Sequence, residues 1–259
     1  MMNGNRYIRR ILSVLILVGT CAAGVEASPF SLNYVPTDYP ENEGWLRASY
    51  DPHGLLDRYL STAGLVIDGS ASAEIADSYA TLAPELALLP GESLRVAWTE
   101  HTLFTTDSQG LNHSDVVVDV ISPNGRFIEI FLGQDFVGAE EQLGGPSVHY
   151  YAFDGSIPHD YFFESNDYQS YQLYVDGVFA FQGSFPGITG FGPAVGFGDA
   201  FVGESSSSIW SSFSVDVVPE PASHLTLALL VVVIRERRSS TWQFRNYCSV
   251  RRFAFWRQL

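Results

Sequence analysis

Tyr171-Gln172-Leu173-Tyr174-Val175-Asp176-Gly177-Val178-Phe179-Ala180-Phe181 is the stretch whose reading decides the fold. Leu173 and Val175 share one side of an extended chain, because successive side chains of a strand point to opposite faces. Asp176-Gly177 then supplies the two positive φ angles of a type I′ turn, and the chain resumes with hydrophobic residues. The segment therefore predicts an antiparallel hairpin with one face packed inward.

The same grammar repeats outward from it. Short apolar alternations bounded by Gly, Pro, Asn and Asp occur at 93–99, 115–121, 126–132, 147–153, 169–176, 178–182, 194–201 and 208–217. Ser122-Pro123-Asn124-Gly125 reads as a tight reversal with Gly125 at positive φ. In the last run Ile209, Phe213, Val215 and Val217 fall on one side by alternation. Helical spacing is scarce; the best stretch, 72–89, is broken at Pro84 and predicts a short surface helix in which Glu74 and Asp77 share a face. Many short strands without a strand-helix-strand rhythm predict an all-β, two-sheet antiparallel β-sandwich.

Charge sorts the 259 residues into a body and two ends. All 14 basic residues are arginine, and ten of them lie near the termini. Between Ser28 and Val218 four arginines face 26 acidic residues, a net of -22. So acidic a body repels anionic surfaces and excludes nucleic acid as a partner. With two cysteines, Cys21 and Cys248, neither a disulfide framework nor a zinc site built on paired cysteines can form.

At the front, Arg6, Arg9 and Arg10 precede the apolar run 11–18, and Val25-Glu26-Ala27 offers small residues before Ser28. Residues 1–27 thus read as a signal peptide cleaved between Ala27 and Ser28, with a helical apolar core. At the far end Val218-Pro219-Glu220-Pro221 precedes the apolar run 225–234 and Arg235-Glu236-Arg237-Arg238. This order resembles the PEP-CTERM sorting signal of exported bacterial proteins. The resemblance implies a sorting peptidase as partner, a short apolar helix in transient contact with the membrane, and delivery to the cell envelope or outside it. Both prolines keep the motif extended, as a protease cleft requires. The expected organisation is a signal peptide (1–27), a sandwich (28–217), a sorting segment (218–238) and a basic-aromatic tail (239–259).

The body carries its own resemblance. The hairpin at Asp176-Gly177, together with Val195-Gly196-Phe197-Gly198-Asp199 and the last strand, is similar to concanavalin A-like and laminin-G-like jelly rolls. Enzymes of that kind that cleave β-glucans carry Glu-x-Asp-x-(x)-Glu on one strand; here Glu129 stands alone in Phe127-Ile128-Glu129-Ile130-Phe131. No Gly-x-Ser-x-Gly, phosphate loop or complete dinucleotide fingerprint occurs either. The resemblance implies calcium as a ligand, with Asp199, Asp154 and Asp160 as candidate oxygen donors. Tyr150, Tyr161, Tyr174 and Trp210 are candidate platforms for sugars. The expected function is a non-catalytic, exported surface or matrix protein that binds extracellular polysaccharide. A secreted glycoside hydrolase with unrecognised carboxylates is the second reading.

Overall fold

The structure, a computed structural model, describes residues 30–106, 114, 116–140, 147–185, 187–188, 192–199 and 205–219. In chain order the strands are β1 Phe30–Tyr34, β2 Leu46–Tyr50, β3 Asp57–Leu60, β4 Leu65–Asp68, β5 Ala76–Thr81, β6 Glu92–Thr105, β7 Val116–Ile121 and β8 Arg126–Leu132. There follow β9 Phe136–Glu140, β10 Ser147–Ala152, β11 His159–Ser165, β12 Ser170–Val175, β13 Val178–Ser184, β14 Gly187–Ile188, β15 Ala194–Asp199 and β16 Ser206–Pro219. The only helical segments among the described residues are two 3-10 turns, Pro40–Glu43 and Pro84–Leu86.

Two antiparallel sheets result. The first is ordered β13-β12-β11-β6-β16-β4-β3, with β1 also beside β16. The second is ordered β10-β9-β8-β7-β15-β5-β2, with β14 beside β8. Their inner faces meet in one core: Leu94, Val96 and Trp98 of β6 and Phe213, Val215 and Val217 of β16 face Val118, Ile130, Val195 and Phe197 of the other sheet. The chain is an all-β, two-sheet antiparallel sandwich, as the alternation predicts, and of the jelly-roll kind that the resemblance implies. Asp176 and Gly177 take φ of 51° and 73° and Gly125 takes 76°, so the turns named in the sequence turn where they should.

Two expectations are corrected. Residues 72–89 are not helical: Asp77, Tyr79 and Thr81 point inward from β5, which β15 and β2 clasp on either side, and only Pro84–Leu86 makes a helical turn. Paired strands on both edges outweigh a weak local helical preference. In β16 a register shift between Trp210 and Ser212 inserts Ser211 as a bulge. The extra residue inverts the alternation, so Trp210 joins Phe213 in the core while Ile209 falls on the opposite face. Trp210 is fully buried and Tyr161 is 2% exposed, stacked on Trp98 at 5.1 Å, which removes both as sugar platforms.

Val218 and Pro219, which open the expected sorting motif, end β16 opposite Ser93 and Glu92. At a strand terminus the missing proline donor costs nothing. Glu220 and Pro221, the expected cleavage site at Ala27 and Ser28, the two expected terminal helices and the tail lie outside the described residues. No helix of the described residues is long and apolar enough to cross a membrane.

Candidate functional site

Where β10 of the second sheet approaches β13 of the first, a groove of about 400 Å³ opens beside the β11–β12 turn. Its wall is held by local chemistry. Asp167 Oδ1 accepts the N–H groups of Gln169 and Ser170 at 2.9 and 3.0 Å, and Ser165 Oγ donates to the Ser170 carbonyl at 2.7 Å. Tyr168 sits at φ 53°, an uncommon angle for a residue with a side chain. Burial holds it there: its ring packs edge-on against Phe185 and its hydroxyl donates to the Leu86 carbonyl at 2.5 Å.

The groove is lined by the Asn166, Gln172 and Gln182 amides, the Ser170 and Ser184 hydroxyls, the His149 imidazole and Tyr171. Gln172 Oε1 accepts the Tyr174 hydroxyl at 2.7 Å, which leaves its amide nitrogen to donate outward. Glu164 is neutralised by Arg95 at 2.9 Å. The His149 ring lies flat on Phe181 at 5.4 Å. Gly183 keeps the floor open, because a Cβ there would stand 2.5 Å from Tyr171 Oη and 2.8 Å from His149 Nε2. Gly183→Ala is therefore expected to displace both rings and cost about 1–3 kcal/mol in urea denaturation. A loss under about 0.5 kcal/mol would show that the floor is slack.

A second depression, of about 330 Å³, lies on the outer face of the first sheet. Thr99 Oγ1 donates to Asp160 Oδ1 at 2.6 Å, and Ser212 Oγ donates to Thr99 Oγ1 at 3.1 Å; Asn33 and Ser214 complete the rim. Tyr174 is half-buried on the outer face of β12, and Tyr150 is 47% exposed on β10.

The outer face of the second sheet brings together carboxyl groups that the sequence keeps ten or more residues apart. Asp119 of β7 pairs in register with Glu129 of β8, and the Ile130–Ala139 pairing sets Glu140 of β9 in the next place. All three point away from the core, since Val118, Ile130 and Ala139 point into it. Val117, Phe131 and Phe136 form a buried apolar cluster of their own on that face. Burial, reinforced by the Glu140 charge, pushes the Asp119 carboxyl up to about 7. Burial, then the Asp119 charge and a hydrogen bond with Glu140, pushes Glu129 up to about 10. The row thus holds protons at neutral pH, and neighbouring carboxyls pushed to different values are equipment for acid–base chemistry. The isolated look of Glu129 in the sequence was misleading; summing hairpin registers across both turns would have found its neighbours.

The three calcium candidates are dispersed. Asp199 is 1% exposed in β15, facing Asp77 of β5. Burial and the Asp77 charge, opposed by the nearby Ser206 hydroxyl, push it up to about 8. Asp77 itself accepts from Arg47 Nε at 2.7 Å. Asp154 caps its own turn through Ser156, and Asp160 accepts from Thr99. His159 bridges the Asp176 carboxylate and the Asp154 carbonyl, both at 2.7 Å, and so ties the β12–β13 turn to the preceding loop. Among the described residues no three His, Cys, Asp or Glu side chains are grouped to hold a metal ion.

No family model and no curated protein matches the chain. Solved structures resemble it at low identity. A carbohydrate esterase of the Shiga toxin-encoding bacteriophage phi24B superposes with a TM-score of 0.52 and 12% identity, over 72% of this chain and 97% of that one. The carbohydrate recognition domain of Emp46p, in its potassium-bound form, gives a TM-score of 0.44 and 14% identity over 72% and 95%. A botulinum neurotoxin type C structure, described as interacting with two ganglioside molecules, gives 0.42 and 11% over 66% of this chain and 42% of that one. At such identities the likeness is one of fold.

Proposed function

We propose that the chain is a non-catalytic glycan-binding β-sandwich, exported through its N-terminal signal and delivered to the cell envelope or matrix by its PEP-CTERM-like segment. The observation that carries this reading is the groove beside the β11–β12 turn, where amides, hydroxyls and an imidazole converge around about 400 Å³. Such a density of donors and acceptors suits sugar hydroxyls, which both donate and accept. The likeness in fold to a carbohydrate esterase supports carbohydrate as the ligand class, and the hydrolysis screen below decides whether it is turned over. Mass spectrometry of the mature protein should find Ser28 at its start and a cut near Pro219-Glu220-Pro221.

A glycan array paired with a polysaccharide hydrolysis screen tests the binding. Retention without release of reducing ends is the expected result, weakened roughly fivefold by Gln182→Ala, the worth of about one hydrogen bond. Reducing-end release that Glu129→Gln abolishes would instead establish the second reading, a glycoside hydrolase built on Asp119, Glu129 and Glu140. Neither retention nor release would sink both readings.

A further inference from the structure

The depression and one margin of the groove, formed by Glu164, Gln172 and Gln182, share the outer face of the first sheet. Register places three rows of side chains across its outer face. Ser212, Thr99 and Asp160 form one. Ala97, Phe162, Tyr174 and Phe179 form the next, and Arg95, Glu164, Gln172 and Gln182 the third. Adjacent rows are two residues apart along the strands, so the outer rows stand roughly 13 Å apart. The polar rows rim the 330 Å³ depression and the groove; the middle row is aromatic.

We infer that this face is a binding strip for an extended, uncharged polysaccharide chain, with Phe162, Tyr174 and Phe179 as its central stacking site between two polar subsites. The inference rests on the glycan-binding reading and adds the form of the ligand, a chain lying across the strands rather than a single terminal sugar. Three observations point there. The aromatic rings are cross-strand neighbours at 6.0 and 5.7 Å, and Phe179 at the outer edge is 49% exposed. Tyr174 is joined to the amide row through the hydrogen bond its hydroxyl donates to Gln172, so the aromatic row adjoins the edge of the groove. The only cation of the three rows, Arg95, is consumed by Glu164, while Asp160 stays exposed. In a body of net charge -22 such a face rejects polyanions and anionic membranes. A chain of equatorially linked sugars meets the rest: it is flat and extended, with apolar ring faces for the phenyl groups and hydroxyls along both margins for the polar rows.

The test is calorimetry of the full chain with β-1,4-linked gluco-oligosaccharides, from the monosaccharide to the hexasaccharide. Affinity should climb about tenfold or more over the first additions and then level off once the strip is filled. Phe179→Ser, at an exposed position, should flatten the climb at an unchanged urea midpoint; Phe162→Ser should flatten it too. Affinity independent of chain length overturns the strip yet leaves the groove reading intact. Failure of every member to bind, or equal binding of the polyanion heparin, overturns it too, and the array result on the groove stands separately. Pairing of two copies through the aromatic row, seen as a dimer that Phe179→Ser dissolves, would also overturn it.

Discussion

Phe197→Ala is expected to lower the unfolding free energy by about 3–5 kcal/mol, the range for removing a fully buried aromatic ring. The side chain is 1% exposed at the junction of the sheets. Its ring lies 4.4 Å from Phe213, 4.9 Å from Trp210, 5.2 Å from Trp45 and 5.4 Å from Tyr79, so its removal strips contacts from both layers at once. Nothing nearby can collapse into the void cheaply. Gly198 stands at φ +138°, and a Cβ there would lie 2.5 Å from the Asp77 carbonyl, so β15 is already pressed against β5. A domain typically has only about 5–15 kcal/mol in hand, and such a loss is a large share of it. Urea denaturation should show a lower midpoint at unchanged slope. A drop of under about 1 kcal/mol would mean that Phe197 is not the keystone its contacts describe.

Stability should fall as pH rises from about 5 to 9. Asp119, Glu129 and Asp199 are pushed up to about 7, 10 and 8, chiefly by burial. Glu100 is raised well above its ordinary value for the same reason: it is wholly buried, Thr102 donates to its Oε1, and its Oε2 has no partner among the described residues. Below about pH 4 these groups are protonated folded or unfolded and contribute no difference. Above it the unfolded chain releases their protons while the native state keeps them, so each retained proton costs about 1.4 kcal/mol per pH unit until the folded-state value is passed. The carboxylates whose values are lowered by hydrogen bonds, such as Asp51, Asp154 and Asp176, act in the opposite direction, but only in the acid range below their unfolded value. Glu129→Gln mimics the protonated form and can still donate to Glu140. It should leave stability at pH 4 unchanged and raise it by on the order of 2–3 kcal/mol at neutral pH. Curves for the variant and the wild type that run parallel from pH 4 to 9 would refute the assignment of a trapped proton to this row.

The sites these experiments touch differ in how far they could be read in advance. Asp176-Gly177 had to be a hairpin, because few dipeptides take two successive positive φ angles cheaply, and Leu173 and Val175 had to face the core once that hairpin existed. The same local logic located β7, β8, β15 and β16. It failed at 72–89, where Ala, Ser and Glu favour a helix weakly and the flanking strands decide the matter. It failed again at Trp210, where one extra residue reverses the alternation that assigns a side chain to the core or the surface.

The sequence alone determined the two-sheet class, the turns and the acidity of the body, since each rests on residues adjacent in the chain. Only the tertiary structure could decide the groove, the aromatic row and the alignment of Asp119, Glu129 and Glu140. These depend on which strands become neighbours and in what register, and that choice is made by packing between segments distant in sequence, which no local period records.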